Sequence, residues 1–307
     1  SHYNFTVFLE SFSLAGAARD SVQWGMSSVD EFESVFNAAA KPVFQHAPPP
    51  LGKALVVTDL QGAPAETFSG LAQKFLSPMQ GPWETLDGGE FQTVKELLDA
   101  VDASKPDLVV TYRHLQSQAW RWPYSLGEHL DVLIQVAQPP VAILPHPGED
   151  GTPAAALKNT DSVMAITDHL AGLDGLVNYA AAFTNLGGTL HLTHVECATT
   201  LDRYLDAIGK IPEIDTDIAR EKLTAQLLRE PAAYIESCTE VLKENGTDLT
   251  VAPHVEHGHR LEEFRRAADE NAVDLVVLEG HDEDQLAMKA TAYSLAVELR
   301  NTPVLIV

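Results

Sequence analysis

Basic side chains are scarce in this chain. Twenty Lys plus Arg stand against 44 Asp plus Glu over 307 residues, a formal charge of −24. A surface that negative repels phosphate backbones and anionic lipid heads, so nucleic-acid and membrane-surface roles are not expected. Cysteine is rarer still: Cys197 and Cys238 are too few for a disulfide framework or a thiolate zinc site. No apolar run approaches the ~18 residues that a membrane span needs. Ser1-His2-Tyr3 opens a mixed stretch without the basic start of a signal peptide, so a soluble cytoplasmic protein is the expectation. No GxSxG elbow, HExxH pair, GxGxxG or Walker loop occurs, and nothing points to nucleophilic catalysis.

What is present is ordinary in bulk. Hydrophobic residues make up 45% and charged residues 21%, the balance of a globular protein, and the length suggests two domains. The acid excess is no tail: residues 1–158 carry 9 basic against 18 acidic side chains, and residues 159–307 carry 11 against 26.

The chain repeats itself. Ala54-Leu-Val-Val-Thr-Asp59, Asp107-Leu-Val-Val110 and Pro140-Val-Ala-Ile-Leu144 recur in the same order as Val163-Met-Ala-Ile-Thr-Asp168, Asp274-Leu-Val-Val-Leu278 and Pro303-Val-Leu-Ile-Val307. Short Val/Ile/Leu runs bounded by turn residues read as strands buried on both faces of a parallel sheet. Between them lie helical patterns. The second half reads strand 163–168, helix 172–186, strand 188–196, helix 215–245, strand 248–256, helix 260–272, strand 274–279, helix 284–300 and strand 303–307. Such alternation means a doubly wound α/β fold. The first half is shorter: Asp59 to Asp107 spans 48 residues where Asp168 to Asp274 spans 106, so about one strand and one long helix are missing. Residues 1–52 stand in front, with a strand-like Phe5-Thr-Val-Phe-Leu9 and a helical 28–40. They are either a permuted element that fills the gap or a separate arm. The expected architecture is two parallel five-stranded sheets, in domains 1–150 and 159–307, with linkers at the proline clusters 48–50 and 145–153.

The order of these pieces resembles the universal stress protein family in its tandem two-domain form. Residues 159–307 carry the resemblance: a first strand ending in Asp168, a second reading Leu192-Thr-His194-Val195, a third running into Gly258 and a helix, then Asp274-Leu-Val-Val and the closing Pro303-Val-Leu-Ile-Val307. The first half matches at Asp59, 107–110 and 140–144 only. The resemblance implies that the two sheets pair through their closing strands as an intrachain pseudo-dimer, with a further homodimer expected. It also implies a nucleotide-type pocket formed by Asp168, Val195, Gly258, Gly280 and Ser294, with Asp59 in the matching place of the first half.

Nucleotide-binding members of the family carry Gly, two residues, Gly, nine residues, Gly, then Ser or Thr after the fourth strand. Such glycines let backbone amides approach phosphates at a helix N-terminus. Here Gly280 survives, but the next two places are Glu283 and Tyr293, with Ser294 in the hydroxyl position. Gly280-His-Asp-Glu-Asp284 sets three carboxylates where a triphosphate would sit. The first half reads Thr111-Tyr-Arg-His-Leu115 there, with no glycine, and only Arg113 and His114 could meet an anion. Loss of ATP binding in both halves is expected.

Three groups of residues remain open. Asp59 and Asp168 either meet a polar ligand or cap the following loop. The histidines of the second half include His169 and His194 beside Glu196, then His254, His257 and His259, then His281. Strand ends converge at one sheet edge, so His254, His257 and His281 are the candidates for a divalent metal, against scattered surface histidines. The Gly62 and Gly172 turns read as loose phosphate loops or plain strand-to-helix turns. Trp120-Arg-Trp-Pro-Tyr124 reads as a stacking surface or a domain interface. Three functions follow: a non-catalytic stress-response or regulatory protein acting on a partner or small ligand, a metal- or ligand-binding module at the histidine edge, or an ATP-binding protein with a degenerate motif.

Overall fold

Among the described residues nine strands lie in one sheet, in the order Trp83–Leu86, Ala54–Val57, Leu108–Tyr112, Val141–Leu144, Val304–Ile306, Leu275–Leu278, Ser162–Thr167, Thr189–Cys197, Thr250–Gly258. The computed structural model describes residues 42–117, 124–153, 155, 157–212, 214–282 and 285–307, all within the compact unit Lys41–Val307. The first half contributes β1 (Ala54–Val57), β2 (Trp83–Leu86), β3 (Leu108–Tyr112) and β4 (Val141–Leu144). The second contributes β5 (Ser162–Thr167), β6 (Thr189–Cys197), β7 (Thr250–Gly258), β8 (Leu275–Leu278) and β11 (Val304–Ile306). Neighbours within each half are parallel. The halves meet at β4 and β11, which pair antiparallel, Ala142 opposite Leu305.

The expectation of two separate five-stranded sheets is thereby corrected. Both closing strands are apolar throughout and buried, so each satisfies the other's open backbone edge and one continuous sheet results. Among the described residues the first half has no counterpart of the edge strand β7, which accounts for the shorter stretch between Asp59 and Asp107. Edge position also explains how β7 tolerates Pro253, since a strand hydrogen-bonded on one side only can spare an N–H.

The repeated Asp-Leu-Val-Val has a structural reason. Asp107 Oδ2 accepts from the amides of Gly52 (2.9 Å) and Lys53 (2.8 Å), and Asp274 Oδ2 accepts from the amide of Ser162 (3.0 Å). Each aspartate ties the start of its strand to the start of the neighbouring one. The registers match accordingly: Ala54 pairs with Leu108 in one half and Val163 with Leu275 in the other.

Helices cover both faces: α1 (Ala63–Phe75), α2 (Val94–Ser104), α3 (Glu128–Val136), α4 (Asp174–Phe183), α5 (Ala198–Ile208), α6 (Thr216–Glu244), α7 (Arg260–Glu270) and α8 (Ala290–Glu298). Local signals set several ends. Thr93 and Glu96 form a reciprocal capping box on α2, and Asp215 accepts the first amides of α6. Only the start of the helix expected over 284–300 is replaced. His281–Asp282 (β9) and Gln285–Met288 (β10) form an antiparallel hairpin, and α8 starts only at Ala290. The strongly acidic run after Gly280 offers no apolar face for a helix to bury.

Of the leading 52 residues, 1–41, and with them the strand-like 5–9 and the helical 28–40, lie outside the described residues. Residues 42–50 form neither helix nor strand and are held against the second half. Phe44 is buried edge-on to Tyr234, its amide donates to Ser237 Oγ at 2.9 Å, and Asn178 holds both Ala47 N and Gln45 O.

Candidate functional site

Asp59 and Asp168 follow the first strand of each half, and matched register makes them equivalent. Their surroundings differ. In the first half the Tyr112 hydroxyl donates to Asp59 Oδ1 and lies 2.8 Å from Thr58 Oγ1. Asp59 Oδ2 accepts from the Gln116 amide at 2.7 Å. Burial, with the neighbouring Asp59 carboxylate, pushes the Tyr112 hydroxyl well above its usual pKa, so it stays a donor. Both oxygens of Asp59 are thus satisfied by the chain itself.

In the second half the place of Tyr112 is taken by Glu279, counting from Asp107 and Asp274. An ionised carboxylate has no proton to give Asp168, and Glu279 turns elsewhere: Thr167 Oγ1 donates to Oε2 at 3.0 Å and Lys289 Nζ also donates to it. Asp168 Oδ2 accepts from Thr291 Oγ1 at 3.1 Å and lies 3.5 Å from Arg260 Nη1. Asp168 Oδ1 is buried with no hydrogen-bond partner. An orphaned buried carboxylate oxygen is costly. Asp168 lines a shallow cleft of about 220 Å³, open mouth included, together with Thr167, Glu279, Lys289 and Thr291 over an apolar floor of Ile166, Leu278 and Leu295. This is the crevice at strand C-terminal ends where ligands of open α/β sheets bind. Its size falls below the ~300–1,000 Å³ of drug-sized ligand pockets.

The other residues of the expected pocket scatter around this cleft. Val195 offers its carbonyl to Arg260 Nε at 3.0 Å, while Arg260 Nη2 donates to the Asp168 carbonyl at 3.1 Å. Arg260 therefore pins the ends of β5 and β6 together. Gly258 packs under Glu263, whose Cγ a Cβ would meet at 2.8 Å. Gly280 is needed for packing as well: its Cβ would lie 2.4 Å from Ile306 Cγ2. Its amide donates to the Val307 carbonyl at 2.8 Å, so it is not free for a phosphate. Ser294 lies in α8 outside the cleft lining; the hydroxyl that reaches Asp168 is that of Thr291. Glu283 and Asp284 lie outside the described residues.

The histidines do not gather as expected. His254 and His257 are three apart on β7 and so point to opposite faces. His257 is exposed, and the side chain of His281 lies outside the described residues. His254 instead places Nε2 2.9 Å from His191 Nδ1, whose Nε2 is 3.2 Å from Ser162 Oγ. Burial, then the His254 charge, pulls His191 down to about 4, and burial likewise lowers His254. His194 is buried, its Nε2 3.5 Å from Glu196 Oε2, too long for a good hydrogen bond. Among the described residues no three His, Cys, Asp or Glu side chains are placed to hold a metal ion.

The Gly62 and Gly172 turns have positive φ and open α1 and α4 as strand-to-helix turns. Trp120, Arg121, Trp122 and Pro123 lie outside the described residues; Tyr124 is exposed. Sequence reasoning missed Tyr112, Lys289, Thr291 and Arg260. The signal for the first was available, since aligning Asp107 with Asp274 sets Tyr112 against Glu279.

No family model matches the chain, nor does any curated protein. Among solved structures, a universal stress protein from Archaeoglobus fulgidus DSM 4304 is similar with a TM-score of 0.49 and 13% identity, over 83% of this chain and 96% of that one. A functionally unknown protein from Pseudomonas aeruginosa PAO1 is similar with a TM-score of 0.44 and 14% identity, over 94% and 89%. At these identities and scores the likeness assigns no activity.

Proposed function

We propose that this chain is a non-catalytic regulatory protein of the universal stress protein kind, which holds a compact polar ligand in the Asp168 cleft of its second half and does not hold ATP. One observation carries the reading: Asp168 Oδ1 is buried and unpartnered on a residue that lines a cleft, whereas both oxygens of its counterpart Asp59 are occupied. A carboxylate oxygen takes a donor, so the ligand presents an N–H or O–H, as the edge of a nucleobase or an amidine does. The exclusion of ATP rests on charge and room. Glu279 adds a second carboxylate to the cleft lining, Gly280 N is bonded to Val307 O, and the cleft is small. Supporting the kind of protein is the order of sequence motifs. The homodimer stays a proposal too, and it needs a surface other than β4 and β11, which are spent on each other.

Thermal shift on the full chain tests this, with adenine, benzamidine and ATP–Mg²⁺ as probes and native mass spectrometry of untagged protein beside it. Adenine or benzamidine is expected to raise the melting temperature of the natural chain but not of Asp168→Asn, with ATP–Mg²⁺ no better than adenine. Stoichiometric ATP in the purified protein would overturn the reading. A stoichiometric divalent metal would move the site to the histidines.

A further inference from the structure

Arg113 crosses from one half to the other. It follows β3 of the first half and is 6% exposed, yet its guanidinium belongs to α8 of the second half. Nη1 donates to Val297 O at 3.1 Å, and Nη2 donates to Leu299 O at 2.7 Å and to Ala296 O. These are the carbonyls that the end of a helix leaves without partners. No basic residue stands in the last turn of α8, and Leu299, Arg300 and Asn301 follow it where a glycine cap would otherwise serve. Burial, with Arg300 nearby, pulls Arg113 down to about 10, so it remains a cation at neutral pH and opposes the negative end of the helix.

The other end of α8 builds the cleft. Thr291 donates to Asp168, Lys289 at the N-cap reaches Glu279, and Thr291, Ala292 and Leu295 line the cavity. A second tie to the first half lies between, where the Tyr293 hydroxyl donates to Asp131 Oδ1 of α3 at 3.1 Å. A nine-residue helix is only ~13 Å long. A displacement at its C-terminus is therefore felt at Thr291.

We propose that Arg113 is a positioning residue for the cleft of the opposite half: by capping α8 from outside, the first half, whose own site is filled by Tyr112, sets the geometry at Asp168 and Thr291. This rests on the reading of that cleft as the ligand site.

Hydrogen exchange of the full chain tests the clamp without any ligand, comparing the natural chain with Arg113→Met, Arg113→Lys and the control Tyr112→Phe. In Arg113→Met, amides of 290–298 and of the cleft wall at 278–280 are expected to exchange about tenfold faster or more, as befits lost charge-assisted bonds, while β1 and β2 keep their protection. Arg113→Lys, a point charge without the fork, quickens the same amides by less, and Tyr112→Phe quickens them no more than it does β1 and β2. Unchanged α8 exchange in Arg113→Met, or equal quickening in β1 and β2, overturns the clamp. Should Arg113→Met not fold, Arg113→Lys decides, and α8 exchange identical to the natural chain overturns it. Adenine titration then reads the consequence, with affinity expected to fall about fivefold or more and undiminished affinity counting against the coupling. If adenine binds no form of the protein, the natural chain included, the ligand reading fails alone, and exchange still judges the clamp.

Discussion

The Tyr112 hydroxyl occupies Asp59, while Glu279, at the matching place of the second half, turns away from Asp168. One substitution between repeats thereby separates a closed site from an open one. Thr58 and Thr167 make the difference visible, because each bonds to the residue at that place, the phenol in one half and the carboxylate in the other.

Removing the phenol hydroxyl isolates its effect. Tyr112→Phe leaves the half-buried Asp59 without the donor to Oδ1 and is expected to cost about 1 kcal/mol of stability, read from urea denaturation. An unchanged midpoint would mean that Asp59 finds another donor at no expense.

Acid should weaken the sheet at β6 and β7. His191 and His254 have folded pKa values below the ordinary 6.5, the former at about 4. The unfolded chain thus takes up protons that the folded chain refuses. Their contribution is complete above pH 6.5 and is lost as pH falls from there toward 4, about 2 kcal/mol by pH 5 for His191. Ser162, the Asn271 carbonyl and Glu256 are the polar neighbours of the pair. Urea midpoints at pH 7.5 and 5 should converge for the double variant His191→Gln, His254→Gln. Parallel pH profiles for both proteins would refute the assignment.

Gly280 is expected to matter for packing. Gly280→Ala drives a methyl against Ile306 of β11 and should lower stability by about 1–3 kcal/mol without altering the response to adenine. Calorimetry with and without adenine checks both halves of that statement.

Much of the fold was legible because buried parallel strands write themselves as Val/Ile/Leu runs, and the repeat gave their order. β2 was not, since Trp83-Glu-Thr-Leu86 is half exposed at an edge. The pairing of β9 with β10 was not, since Leu286 also fits the helical spacing read over 284–300. For the site, Asp59 and Asp168 were visible as strand-end residues, but their partners arrive from far along the chain: Thr291 is 123 residues from Asp168. Convergence of strand ends does not by itself bring histidines together: His254 and His257 are three apart on β7, and alternation sends them to opposite faces.

The seam between β4 and β11 also bears on how the chain comes together. During synthesis β4 is complete long before β11 emerges, with nearly the whole second half between them. Until then the first half presents a bare, wholly apolar strand edge, the kind that recruits another chain's strand. Assembly at this seam is consequently a race between the protein's own late strand and its neighbours, and the dense negative charge on both halves slows the neighbours.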